Sequence, residues 1–178
     1  SLVKKLREMT GAGVLDVQQA LAETGNDEQK AIEYLRKRGQ KIADKRQDRA
    51  VKEGVIDAYV HGKVAAMVAI ACETDFVARN QDFKTFAHEI ALQVAATAPR
   101  YLSPDEIPAD VLEKEREIYR EQLKSEKKPE AMWDKIIDGK LQKFYSDVCL
   151  LKQKYIKDDS KTIEQLLTEH IAKIGENI

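Results

Sequence analysis

Apolar residues recur at helical spacing through residues 1–39. Leu2, Val3, Leu6 and Met9 form one stripe, Val14, Leu15, Val17 and Leu21 a second, and Ala31, Ile32 and Leu35 a third, each near the period of an amphipathic helix. Gly11 and Gly13 separate the first two stripes, and Gly25 suits the left-handed position that ends the second. Asn26 with Gln29 makes a capping-box pattern ahead of the third, which Gly39 closes. The pattern predicts a compact three-helix domain over 1–39. Beyond it, Arg36, Lys37, Arg38, Lys41, Lys45, Arg46, Arg49 and Lys52 stand against Asp44, Asp48 and Glu53. Because these acids can pair with Lys or Arg at helical spacing, residues 40–53 read as a solvated basic linker helix rather than a phosphate-binding patch.

From Gly54 the period shortens. Val55, Ile56, Ala58, Tyr59 and Val60 lead to a turn at His61-Gly62, and residues 63–72 carry one charge, Lys63 at the first position. That run reads as a buried strand, too short to cross a membrane. A two-stranded ribbon is marginal alone, so a helix over 81–98 should cover one face and another strand should join. Asn80 is the N-cap of that helix, with Phe83, Phe86, Ala87, Ile90 and Val94 on its apolar side. Ser103-Pro104-Asp105-Glu106 and Pro108 precede a charged run, 109–126. A turn at Lys128-Pro129 then leads to an apolar seam of Met132, Ile136, Leu141 and Phe144, broken by Gly139. These features predict an antiparallel helical hairpin near 104–146, an extended stretch over 148–156, and a last helix built on Ile163, Leu166, Leu167, His170, Ile171 and Ile174. The fold class is α+β: a three-helix bundle, then an antiparallel sheet covered by helices within a core domain over 54–178 that carries the hairpin.

Composition narrows the function classes. With 30 Lys+Arg against 31 Asp+Glu, the net charge of −1 provides no global basic field, which disfavours bulk nucleic-acid binding. Across 178 residues, 43% of them hydrophobic, there is material for a core in one or two domains. The start, Ser-Leu-Val-Lys-Lys-Leu-Arg, is amphipathic rather than a secretory signal, so the chain reads as cytoplasmic and not membrane-bound. Cys72 and Cys149, far apart and flanked by apolar residues, read as small buried hydrophobes. His61, His88 and His170 lie on separate elements, and no phosphate-cradling loop, nucleophile elbow or metal-ligand spacing is present. No cofactor, metal or small-molecule substrate is expected. Glu73 and Asp75 would share one side of an extended segment and form an acid pair, yet nothing supplies a nucleophile or second base.

The candidate chemistry concentrates in Thr74-Asp75-Phe76-Val77-Ala78-Arg79-Asn80. This link places a large aromatic beside an unpaired-looking acid, between the apolar strand and the next helix. Two readings are open: Phe76 folds back onto the junction as core, or it projects as a wedge for a partner.

Four ordered blocks carry a resemblance. They are Leu2-Val3-Lys4-Lys5-Leu6-Arg7-Glu8-Met9-Thr10-Gly11-Ala12-Gly13; Glu73 followed by the Thr74–Asn80 link; Lys128-Pro129-Glu130 with Gly139-Lys140-Leu141-Gln142-Lys143-Phe144-Tyr145; and Ile171-Ala172-Lys173-Ile174-Gly175-Glu176-Asn177-Ile178. In these the chain resembles the elongation factor Ts family, bacterial and organellar nucleotide-exchange factors for elongation factor Tu. The resemblance implies an N-terminal domain like a ubiquitin-associated domain, and a third sheet strand lying beyond the closing block. It implies that Thr74, Asp75, Phe76 and Val77 form a wedge that dislocates Mg²⁺ from the partner GTPase. It further implies that Arg7, Val14 and Leu15 touch that partner's nucleotide domain, in a bacterial cytoplasm or an organelle matrix, with no chemistry performed by this chain itself. Two alternatives stand beside it: a peptide- or ubiquitin-like-binding scaffold, and a small acid-base enzyme using Glu73 or Asp75.

Overall fold

The computed structural model describes residues 1–178. It is α+β, with eight α-helices and two separate two-stranded antiparallel sheets. Backbone contacts group the chain into two compact units, Ser1–Ala95 with Gln165–Ile178, and Ala96–Glu164.

In the first unit, α1 (Leu2–Thr10), α2 (Val14–Glu23) and α3 (Glu28–Asp44) bury Leu6, Val17, Ala20, Leu21, Ala31 and Leu35 against one another. Gly25 and Asn26 both take left-handed φ, 63° and 61°. The helix start therefore shifts by one residue: Asp27, not Asn26, is the cap, its side chain accepting the Lys30 N–H at 3.0 Å. Nor does Gly39 end α3. A methyl group there would lie 3.5 Å from Ala172 Cβ and 4.0 Å from Thr168 Cγ2, so this turn is buried against a second helix, and packing overrides the glycine's low propensity. The linker boundaries differ accordingly: residues 40–44 continue α3 and residues 45–48 form turns. Their basic side chains are partly engaged, Arg46 with the Gly175 carbonyl and Arg49 with Glu73.

Strands β1 (Glu53–His61) and β2 (Val64–Cys72) pair from Glu53↔Cys72 to His61↔Val64. The loop is thus Gly62-Lys63, one residue beyond the expected turn. On one face Val55, Asp57, Tyr59, Ala66, Val68 and Ile70 are half-buried; there His88 bonds Asp57 at 2.7 Å and meets the Tyr59 ring edge-on. The other face is apolar but open, with Ile56, Val60 and Met67 all about 70% exposed (69%, 71% and 73%). The reading of 63–72 as a buried strand is therefore overturned for this open face, while cover on one face of the ribbon is as expected. No further strand joins this pair; β3 (Lys154–Tyr155) and β4 (Asp158–Thr162) form their own ribbon.

After the short α4 (Asp75–Arg79), α5 (Gln81–Thr97) buries Phe83, Phe86, Ala87, Ile90 and Ala91. Asn80 starts it as expected, Oδ1 accepting the Asp82 N–H at 2.7 Å. Phe86 packs on His170 of α8 (Ile163–Ile174), ring centroids 4.2 Å apart, while Lys173 pairs with Asp82 at 2.7 Å.

In the second unit, α6 (Ala109–Ser125) and α7 (Trp133–Val148) form the hairpin around Leu123, Ile137 and Leu141. Ile137 replaces Met132 in the expected seam. Met132 sits in a short 3-10 turn before α7 and is exposed. Gly139 does not interrupt α7. The stretch over 148–156, expected to be a strand or extended, holds a 3-10 turn, Leu150–Lys152, and then the short strand β3. Both cysteines are buried and free.

Two glycines of the first unit predict opposite outcomes. Gly39→Ala should raise stability by up to about 1 kcal/mol, since the methyl has room and the helix gains propensity. At Gly54 a Cβ would fall 2.4 Å from the Ile70 carbonyl oxygen, so Gly54→Ala should cost about 1–3 kcal/mol. Urea unfolding of both variants checks the pair.

Candidate functional site

The link between β2 and α5 is built from its two ends. Cys72 is fully buried at the end of β2, and its thiol donates to the Thr74 carbonyl at 3.3 Å. Burial, with a smaller contribution from the charge of Glu176, raises the Cys72 pKa. Thr74 then takes an extended conformation (φ −127°, ψ 156°), and its Oγ1 accepts the Val77 N–H at 3.4 Å, capping α4. Asn80 ends α4 by donating its N–H to the Val77 carbonyl at 2.9 Å while capping α5. A five-residue helix is thereby fastened between a strand and a long helix.

None of the five residues of α4 is buried. Phe76 is 82% exposed, which overturns the packed-core alternative for its ring. Asp75 is not unpaired; it meets Arg79 at 3.2 Å, one turn along and open to water. Such a pair contributes little and is readily exchanged for another partner. Val77 and Thr74 are half-buried and form the base of the projection.

The acids flanking this link are held apart. Glu73 accepts the Asn177 N–H at 2.7 Å and lies 3.5 Å from Arg49. The Asn177 N–H is the chief cause of a lowered Glu73 pKa, with Arg49 adding to it. Glu73 and Asp75 therefore have separate partners and do not make the acid pair that an enzyme reading would need. One further carboxylate reaches the link: Glu176 accepts the N–H groups of Glu73 (3.1 Å) and Thr74 (3.0 Å) and the Thr74 hydroxyl (2.6 Å).

Arg7, Val14 and Leu15 lie on α1 and α2 of the same unit. All three are exposed, Leu15 at 79%. The second stripe read from the sequence is thus split: Val17 and Leu21 enter the bundle core, while Val14 and Leu15 face water. Met9, placed in the first stripe, is also exposed at the end of α1, just across the Gly11–Gly13 connection. Sequence reasoning missed Met9 as a surface residue and missed Glu176 altogether. The helical period gave no signal for the first, since it puts Met9 on the same face as Leu6, which alone of that stripe is fully buried. For the second only the closing block pointed to position 176, and no local rule joins it to Thr74.

A family model described as Elongation factor TS matches residues 2–178. The chain is 54% identical over 180 residues to an elongation factor Ts of Syntrophus aciditrophicus, covering 100% of this chain and 90% of that relative. It is 54% identical over 179 residues to one of Thermotoga neapolitana, with 99% and 90% covered. A third, from Geobacter metallireducens, is 51% identical over 178 residues, with 99% and 82% covered. A match of this extent, carried through the Thr74–Asn80 link and the closing block alike, means that the chain belongs to the elongation factor Ts family of translation elongation factors.

Proposed function

We propose that this chain is a guanine-nucleotide exchange factor, binding elongation factor Tu in its GDP form and promoting GDP release in the bacterial cytoplasm. The observation that carries the reading is Phe76, a bare aromatic on a helix with no buried side chain and with both ends tied into the fold. Water-exposed phenylalanine is unfavourable unless something buries it, and a partner's cleft does so. An exchange factor need not touch the nucleotide. It must bind the empty conformation of the GTPase more tightly than the loaded one.

Phe76 acts as the wedge, stabilising a displaced arrangement in the nucleotide domain through its buried ring. Asp75, released from Arg79 on docking, disturbs the polar network that holds Mg²⁺ against the phosphates. Thr74 and Val77 set the angle of entry. Arg7, Val14 and Leu15 on the bundle give a second contact that orients the wedge, and residues 1–39 serve as the partner-binding domain. The hairpin of α6 and α7 supplies a further contact to the same partner. No group in this scheme makes or breaks a covalent bond.

Phe76→Ala should leave unfolding free energy within about 1 kcal/mol of the parent chain, because the ring contributes no core packing. It should nevertheless slow release of fluorescent GDP from elongation factor Tu by about 30- to 1000-fold, the scale of an aromatic hot spot of roughly 2–4 kcal/mol. Phe83→Ala, in the fully buried position of α5, should do the reverse and cost about 3–5 kcal/mol of stability. A folded Phe76→Ala chain with undiminished exchange would sink the wedge.

Leu15→Ala should likewise leave the bundle intact, since its side chain lies outside the core. Affinity for nucleotide-free elongation factor Tu should fall about 5- to 30-fold, as for loss of about 1–2 kcal/mol at an apolar contact. Titration calorimetry reads the change; unchanged affinity would remove Leu15 from the interface.

A further inference from the structure

We infer that Glu176 is a positioning residue for exchange: its carboxylate clasps the Glu73-Thr74 backbone and the Thr74 hydroxyl, and so fixes the direction in which Phe76 projects. The inference rests on the wedge reading of Phe76 and names what holds the wedge.

A helix as short as α4 does not pay its own nucleation cost, and no α4 side chain is buried to compensate. Its side-chain supports are a long cap bond of 3.4 Å at Thr74 and the water-exposed Asp75–Arg79 pair. Glu176 adds charge-assisted bonds at the point where the strand ends. Oε2 accepts both consecutive amides, of Glu73 and Thr74, and Oε1 accepts the Thr74 hydroxyl at 2.6 Å.

The hydroxyl bond has a directional consequence. With its proton committed to Glu176, Thr74 Oγ1 turns its lone pairs to the Val77 N–H, which is the cap of α4. Remove the carboxylate and the hydroxyl is free to rotate, the two amides lose their acceptor, and the cap weakens with them. One side chain thus governs the backbone on either side of the wedge.

The clasp is itself held. Gly175, at φ 83°, closes α8 by donating its N–H to the Ile171 carbonyl at 2.8 Å, and the left-handed turn sends Glu176 back toward β2. Asn177 then donates its backbone N–H to Glu73 and its side-chain amide to the carbonyls of Gln47 (3.2 Å) and Arg49 (2.9 Å). Glu73 and Glu176 therefore bind each other's segments reciprocally, across more than 100 residues of chain (|i−j| of 103 and 104).

The test is a double-mutant cycle on GDP release from elongation factor Tu, using the full chain. Glu176→Ala should slow exchange about tenfold, about 1.4 kcal/mol. Glu176→Gln, which keeps one acceptor oxygen for the amides, should slow it about threefold. In a Phe76→Ala background either change should alter the remaining rate by less than twofold, since there is no wedge left to aim. Native-state hydrogen exchange on the free chains supplies the structural arm: the Glu73, Thr74 and Val77 amides should lose about tenfold protection while those of Phe86 and Ile90 hold theirs. Equal slowing in both backgrounds would overturn the proposal, as would full exchange by Glu176→Ala. Loss of protection throughout α5 would also overturn it, by making Glu176 a general stabilising residue. Undiminished exchange by Phe76→Ala alone defeats the wedge reading instead, whatever the Glu176 variants do.

Discussion

A helix of five residues cannot stabilise itself, and α4 is such a helix with an exposed phenylalanine on it. Everything that makes Phe76 a usable protrusion therefore lies outside α4. The buried end of β2 fixes one side, and the Asn80 cap on a well-packed α5 fixes the other. The closing segment after α8 secures the junction through Glu176 and Asn177. A ring on a mobile loop would lose rotational and backbone freedom on docking, and that loss subtracts from binding. Fixing it in advance leaves more of its burial free energy to act on the partner.

This constraint also explains why the first unit joins residues 165–178 to residues 1–95. The stretch that clasps the link leaves the end of α8, which packs through Phe86 and His170 onto α5 and through Ala172 onto α3 near Gly39. Helix α3 in turn belongs to the bundle that exposes Val14 and Leu15. Phe76 and the bundle surface are thus attached to one packed frame, which the proposed two-point contact with a single partner requires if each is to orient the other.

Most of the elements were legible because their signals are local. Apolar periodicity located the long helices other than α6, which was marked by Pro108 and a charged run, Asn80 marked the start of α5, and Thr74–Asn80 stood out as a link. What escaped notice depended on distant neighbours. Gly39 looks like a stop signal, but α8 packs over it; residues 63–72 look like a buried strand, but the face that carries Met67 is open. Val14 and Leu15 fit the apolar stripe of α2, yet only Val17, Ala20 and Leu21 enter the core. The Glu176–Thr74 bonds span 102 residues and follow no spacing rule. The roles of Thr74, Asp75, Phe76 and Val77, and of Arg7, Val14 and Leu15, came from family resemblance; exposure and fixation are what the fold adds to that case.

The central claim is thermodynamic: the chain favours the empty state of its GTPase, and nucleotide and factor must weaken each other's binding by the same factor. The direct measurement is the dissociation constant of the full chain for elongation factor Tu prepared nucleotide-free and loaded with GDP and Mg²⁺, at one salt concentration. The account predicts binding at least about 100-fold tighter to the nucleotide-free form, about 2.7 kcal/mol of coupling. Equal affinity for the two forms would contradict it, because a ligand without preference cannot shift the equilibrium toward release.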